Sequence, residues 1–312
     1  MLNYESISEL YAIAEAQHKQ IREIVLEDQV VQLEQPKEVL IRQMEENLTV
    51  MLDAIENGSK QEVKSTSGLS GGDAYRLKRT IEAGNHLCGD LMSNAIQMSM
   101  AVSEINAAMG KIVAAPTAGS CGILPGALGA LIKVRGVPRE EVVLSMFTAG
   151  AIGMVVANKA SIAGASGGCQ AECGTASAMA AACIVELLGG TPEMAAHAVA
   201  ITLKCILGLV CDPVAGLVEI PCIKRNASGV TLAFTAAELA LSGIKSAIPV
   251  DETIEALKWV GDGLPASLRE TAQGGLAITP TGQSFERQVF GTRFPLTGSP
   301  CDTTCGACSS CR

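Results

Sequence analysis

The sequence predicts an all-α fold, a multi-helix domain rich in Ala and Gly with breaker-rich loops between its helices. Three features carry that expectation. Past residue 73 the chain is rich in Ala, Gly, Met and Cys and shows almost no alternation of β-branched residues. Apolar runs of helical length recur at 91–109, 139–157, 175–188, 193–209 and 231–242. Of the 312 residues, 48% are hydrophobic but only 3% aromatic, so helices must approach through Ala and Gly surfaces with little room for added volume.

Residues 1–64 are expected to form an N-terminal helical hairpin. Leu10, Ile13, Ala14, Ile21, Ile24 and Val25 recur at helical spacing, and Pro36 interrupts them. Val39, Leu40, Met44, Leu48, Met51, Leu52 and Ile55 then resume the pattern until Asn57 and Gly58 stop it. The segment holds 13 acids against 6 bases, which is −7 of the net −9, so the hairpin reads as a solvated wrapping packed by one face. Residues 59–73, rich in Gly and Ser, read as a linker or flexible loop, with Asp73 as the N-cap of the next helix. The main domain follows over 65–290, and a Cys-rich tail over 291–312.

With 32 acidic and 23 basic residues and no basic block, the charge footprint of a nucleic-acid binder is missing. Residues 112–132 carry no charge over a length that could cross a bilayer. Their Pro116, Gly119, Gly122, Pro125, Gly126 and Gly129, with Thr117 and Ser120, fit a buried functional loop better, so no membrane span is expected. The first residues lack a cationic stretch followed by an apolar one, so no signal peptide is read and a cytoplasmic location is expected. In a reducing compartment, 12 cysteines point to a metal, a cluster or catalysis rather than to disulfides.

Three stretches join glycines and prolines to polar groups: APTAGSCGILPG at 115–126, SIAGASGGCQAECG at 161–174 and CDPVAGLVEIPCIKRN at 211–226. Glycine lets backbone amides come close to a bound group, so three such loops suggest one shared site. Cys169, Cys211 and Cys222 sit in loop-like positions from which thiolates can converge. Three thiolates suit a cuboidal iron-sulfur cluster that keeps one iron open, whereas four would suit an electron carrier. Cys173 remains an alternative ligand, and Cys121 is placed to line the site. Cys88, Cys183 and Cys205 lie in apolar helical runs and read as small buried hydrophobes. Cys301, Cys305, Cys308 and Cys311 form a C-x3-C-x2-C-x2-C run in the tail, either a ferredoxin-type ligand run or a frayed terminus.

The stretches NAAMGKIVAAPTAGSCGILPG, ASGGCQAECGTASAMAAA, CDPVAGLVEIPCIKRNA and GGLAITPTG resemble the α chain of the two-chain bacterial iron-sulfur L-serine dehydratases, from about Gly68 to about Gly282. The resemblance implies an all-helical catalytic domain, a 4Fe-4S cluster held by Cys169, Cys211 and Cys222, and a separate β chain. It also implies conversion of L-serine to pyruvate and ammonia by β-elimination of water. Single-chain relatives carry an acidic residue where Ser166 stands, so that acid's role does not transfer.

For the general base the sequence offers Lys111, which could instead pair with the substrate carboxylate, and His86. Thr117, Gly119 and Ser120 are candidate donors to the substrate carboxylate. Arg225 and Asn226 are candidates to anchor substrate or cluster sulfurs, although Lys224 and Arg225 could equally be a solvated pair. Elimination of sulfide from L-cysteine by related chemistry, and an iron-sulfur redox protein, stand as the alternative functions.

Overall fold

The computed structural model describes residues 4–291. The cysteines of the tail, Cys301, Cys305, Cys308 and Cys311, lie outside the described residues. Thirteen α-helices make up the described chain. They are α1 (Ile7–Ala16), α2 (Ile21–Leu33), α3 (Lys37–Lys60), α4 (Asp73–Glu82), α5 (Gly89–Ala107), α6 (Ile123–Arg135), α7 (Arg139–Lys159), α8 (Gly164–Gly167), α9 (Thr175–Leu187), α10 (Pro192–Ile206), α11 (Cys222–Leu241), α12 (Val250–Gly263) and α13 (Pro280–Phe290). No strand occurs among the described residues; two isolated bridges, Lys64 with Gly71 and Cys211 with Arg269, are the only extended pairings there.

Helix α9 occupies the centre, with α6, α7, α10 and α11 packed on it. Every residue of α9 from Thr175 to Glu186 is buried. Its TASAMAAAC sequence permits this, because small side chains leave room for neighbours on all sides. Helix α6 crosses α5 as closely: a Cβ on Gly126 would come 2.8 Å from the Ala95 carbonyl oxygen, and one on Gly122 would come 2.1 Å from that of Ser99. These glycines therefore serve contact rather than chain reversal. The sequence reading placed residues 123–126 inside a loop, whereas they open α6. Pro125 is accommodated in the first turn, where amides lack helical partners.

The N-terminal segment is three helices rather than a hairpin. Ser6 and Glu9 form a capping box at the start of α1, and His18 takes a left-handed φ of 54° where the chain breaks before α2. Helix α3 runs through Asn57 and Gly58 to Lys60, because Gly58 lies against the backbone of Ala101 and leaves no space for a side chain. Buried residues of α1 to α3 share one apolar core with those of α6, α7, α9 and α10.

Residues 59–73 are not a flexible linker. Ser59 and Ser65 are buried, Lys64 bridges Gly71, and Ser70 Oγ donates to Glu219 Oε2 at 2.6 Å. Asp73 is the first residue of α4 rather than its cap, and it pairs with Arg76 and Lys224. The capping acceptor comes from α5: the buried Glu104 carboxylate accepts from the amides of Gly72, Asp73 and Ala74 at 3.2, 2.8 and 3.2 Å. A side chain from another helix thus performs what the sequence assigned to Asp73. Cys88 and Cys205 are exposed, each at a helix end rather than inside an apolar run. Cys183 is buried as expected, its Sγ 3.1 Å from the Ser145 carbonyl. Among the described residues only α7 is long and apolar enough to cross a membrane, and most of it is buried in the fold.

A buried charge group joins α2 to the centre. Glu186 of α9 accepts from Thr148 Oγ1 of α7 at 2.7 Å and faces Arg22 of α2 at 3.3 Å, and Arg22 also binds Glu141 at 2.6 Å. Burial raises the Glu186 carboxyl to about 7, with Thr148 and Arg22 opposing the rise.

Two outcomes follow from these contacts. Glu104→Ala leaves three helix-terminal amides without their acceptor and lowers stability by about 2 kcal/mol, read from urea unfolding. The folded state holds the Glu186 proton more tightly than the unfolded chain, so this group's contribution makes the protein less stable as pH rises from about 4.5 through about 7. Its full effect is of order 3 kcal/mol, and comparing urea midpoints at about pH 5 and about pH 8 should give a shallower slope for Glu186→Gln.

Candidate active site

The three breaker-rich stretches meet at the helix termini around the lower turn of α9. The first, residues 117–122, is fastened by Asn226 of α11. Its Nδ2 donates to the carbonyls of Gly119 and Cys222 at 2.7 and 2.9 Å, while its Oδ1 accepts from the Gly122 amide at 2.9 Å. Both Asn226 donors are thereby engaged, and the residue acts as a rivet between loop and helix. Thr117 Oγ1 donates to Glu172 Oε1 at 2.7 Å and lies 3.2 Å from the buried Ser120 hydroxyl.

The second stretch passes through the short α8 into one π-helical turn, Gln170–Gly174, which leads into α9. Such turns are frequent at functional sites because they rotate side chains out of α-helical register. Cys169 precedes this turn, and Glu172 and Cys173 lie on it. Gln170 holds it in place: its amide donates to the Leu209 carbonyl at 2.9 Å, its Nε2 to the Leu257 carbonyl at 2.9 Å, and its Oε1 accepts from the Gly208 amide at 2.8 Å.

The third stretch supplies Cys211, Asp212, Cys222 and Arg225. Cys222 is the first residue of α11 rather than a loop residue. The Cys211 amide donates to the Leu268 carbonyl at 2.9 Å, and its carbonyl accepts from the Glu270 amide at 2.8 Å. Buried Asp212 meets Arg225 Nη2 at 2.8 Å through Oδ1 and accepts from the Leu276 amide at 2.7 Å through Oδ2. Arg225 also donates to the Val210 carbonyl at 2.8 Å. Lys224, its neighbour, is exposed and pairs with Asp73, so only Lys224 belongs to a solvated pair.

Cys169, Cys211, Cys222 and Cys173 are all buried within electrostatic range of one another. Cys169 and Cys173 share a hydrogen bond at 3.4 Å. That bond, aided by the Arg225 charge, holds the Cys169 thiol below its ordinary range against the opposing effect of burial. The same bond and complete burial push Cys173 far up. Burial pushes Cys222 up to about 12, with Cys169 and Glu172 adding to the rise and Arg225 opposing it, and burial raises Cys211 as well, reinforced by Cys169, Glu172, Glu270 and Cys222. Burial also raises the Glu172 carboxyl; the Thr117 hydrogen bond opposes this and nearby Glu270 reinforces it.

Glu172, Cys211 and Glu270 close in on Gly164. A Cβ placed there would lie 2.8 Å from Glu172 Oε2, 3.0 Å from Cys211 Sγ and 3.1 Å from Glu270 Oε2. Among the described residues, no three His, Cys, Asp or Glu side chains are arranged to hold one metal ion. A cuboidal cluster does not require that arrangement, since each of its cysteines binds a different iron. Three buried thiols and a guanidinium beside them form a donor set that fits such a group.

The remaining candidates fall elsewhere. His86, between α4 and α5, places Nε2 2.9 Å from Asp90 Oδ1. Lys111 is exposed after α5 and makes no hydrogen bond or ion pair among the described residues. Neither is among the groups whose charge weighs most on the thiols. Cys121 is fully buried in the core, and burial raises it to about 12. Three residues of the constellation, Glu172, Asp212 and Glu270, were not singled out from sequence. Their acidic side chains inside or beside apolar, Cys-bearing loops were the available signal.

The description "Serine dehydratase alpha chain" belongs to a family model that matches residues 16–277. The chain belongs to the serine dehydratase alpha-chain family. It is 51% identical over 288 residues to the probable L-serine dehydratase, alpha chain, of Bacillus subtilis (strain 168), covering 92% of this chain and 96% of that one. It is 44% identical to the L-serine dehydratase, alpha chain, of Peptoniphilus asaccharolyticus, covering 86% of this chain and 92% of that one. Against the L-serine dehydratase TdcG of Escherichia coli (strain K12), 41% identity extends over 73% of this chain but 52% of the relative. The matched family segment contains the whole constellation from Thr117 to Leu276.

Asn226→Ala leaves the Gly119 and Cys222 carbonyls and the Gly122 amide without their side-chain partner. Stability should fall by about 3 kcal/mol, read as a lower urea midpoint at unchanged slope.

Proposed function

We propose that the chain is the catalytic subunit of an L-serine dehydratase, a lyase that eliminates water from L-serine. The aminoacrylate formed tautomerises to an imine, and water then releases pyruvate and ammonia. The observation that carries this reading is the meeting of three buried thiols with Glu172, within a chain similar over nearly its whole length to proteins named L-serine dehydratase alpha chain. No feature of the site favours sulfide elimination from L-cysteine or electron transfer.

Cys169, Cys211 and Cys222 would hold a 4Fe-4S cluster, with Cys173 remaining a protonated neighbour of Cys169. When bound, the cluster supplies a Lewis-acidic iron with an open coordination position, which eases departure of the hydroxyl. The chain's own residues do the rest. Glu172 Oε2 takes the proton from Cα, because a carboxyl raised by burial is a stronger base than a solvated one. Thr117 fixes that carboxylate by binding its other oxygen. The 117–119 backbone, with Gly119 beside the Glu172 carboxyl, would face the substrate carboxylate; Ser120 is fully buried behind it, and Asn226 holds the loop in place. Arg225 places positive charge beside Cys169, held in position by Asp212 and the Val210 carbonyl. The candidate bases read from sequence, Lys111 and His86, are replaced in this scheme by Glu172.

We assign a β chain as partner, since the relatives of similar length are named alpha chains and this chain spans about half of the single-chain relative from E. coli. We place the assembly in the cytoplasm, where thiols stay reduced.

The test is anaerobic reconstitution with iron and sulfide of the α chain produced with its β chain. Pyruvate release from L-serine, together with a broad visible absorption, is expected. Cys211→Ser should lose bound iron and at least about 10²-fold in kcat/KM. Turnover that survives complete iron removal overturns the cluster assignment, and absence of pyruvate overturns the reaction.

A further inference from the structure

We propose that Glu270 recognises the ammonium group of the amino-acid substrate and so selects amino acids over the corresponding hydroxy acids. The inference rests on the dehydratase reading and deepens it. Glu270 lies after α12 on a segment stitched to the first residue of the third loop, its amide donating to the Cys211 carbonyl at 2.8 Å. Its backbone is left-handed, with φ 63°, a conformation that L residues other than Asn, Asp and Gly adopt at a cost. The Cys211 bond and the bridge from Cys211 to Arg269 hold it there.

That backbone delivers a carboxylate to the Gly164 backbone, so close that an added Cβ would meet its Oε2 at 3.1 Å. The carboxylate accepts no hydrogen bond and forms no ion pair among the described residues, and Glu270 is exposed at the mouth of the site. The neighbouring cations are already engaged. Arg225 is bound to Asp212 and the Val210 carbonyl, and Arg269 turns away to the carbonyls of Asp262 and Leu264. On the same side of Gly164 stands Glu172, nine-tenths buried, whose Oε1 is occupied by Thr117 while Oε2 accepts nothing among the described residues. Two carboxylate oxygens therefore lie close together against Gly164, with no cation bound to either among the described residues.

An α-amino acid brings the missing charge. With its ammonium against Glu270, L-serine presents Cα toward Glu172 and its carboxylate toward the 117–119 backbone. Glycerate has the same carboxylate and β-hydroxyl but carries a neutral hydroxyl in place of the ammonium. It therefore meets Glu270 without a countercharge.

The experiment uses the iron-loaded α chain with its β chain, comparing wild type, Glu270→Gln and Glu270→Gly. Glycine relieves the left-handed backbone while removing the carboxylate, so that variant keeps the fold even if glutamine disturbs it. Expected in both variants is a rise in KM for L-serine of roughly 10- to 100-fold, with kcat within about 3-fold and bound iron and visible absorption unchanged. Inhibition by D- and L-glycerate, weak in wild type relative to L-serine binding, should approach the strength of that binding in the variants. An unchanged KM overturns the proposal. A raised KM accompanied by loss of iron or absorption also overturns it, by showing that Glu270 serves the cysteine loop instead. A wild type inactive on L-serine overturns the dehydratase reading itself, a result distinct from either.

Discussion

Asp212 is buried with a negative charge, and the site's geometry follows from how that charge is answered. An isolated carboxylate in such surroundings is strongly disfavoured, so its partners are fixed rather than optional. One oxygen meets the Arg225 guanidinium and the other takes the Leu276 amide. Gly275 approaches so closely that a Cβ there would come 2.3 Å from Oδ2. Through Arg225 the interaction reaches α11 and places positive charge beside Cys169; through Leu276 it draws in the segment before α13. Cys211 is the adjacent residue, so the position of one thiol is set by the same contacts.

That ion pair alone would leave the loops free to slide, and hydrogen bonds from other buried side chains remove the remaining freedom. Asn226 binds the 117–122 loop to α11, Gln170 binds the π-helical turn to α12 and to residues 208–209, and Glu104 caps α4 from α5. Each is a buried polar side chain acting between elements rather than within one. Each is satisfied by backbone groups that would otherwise be orphaned inside the fold. The apolar core supplies cohesion without direction, and these side chains supply the register.

The long helices were readable because their signal is local. Helices α5, α7, α9 and α10 are continuous Ala-rich or apolar runs, and their predicted spans agree with the structure to within a few residues. Helix α6 was misplaced because Pro125, Gly126 and Gly129 signal a break in one dimension but a close helix crossing in three. The supposed linker at 59–73 failed for a related reason: its serines find partners as far away as Glu219, which no local window contains. In the site, the thiols were visible as loop cysteines, but Glu172 did not stand out from the sequence. Its importance depends on Thr117 and Gly164, which the fold brings to it from different loops.

Electrostatics also separate the site from the strongly acidic N-terminal segment. Residues 1–64 hold most of the net charge, largely on exposed helix faces where solvent and salt screen it. Around the thiols the charges are few, and they are less screened because they are buried. Arg225 favours thiolate at Cys169, whereas Glu172 opposes charge on each of the four thiols. A single cation beside several acids would be a poor arrangement for a site that stayed as it is, since the thiols and Glu172 resist ionising together. On the proposed reading, the cationic core of a bound cluster and an ammonium-bearing substrate would each relieve these repulsions. The low-dielectric surroundings that make the bare site electrostatically unfavourable would, on that reading, make the loaded one selective.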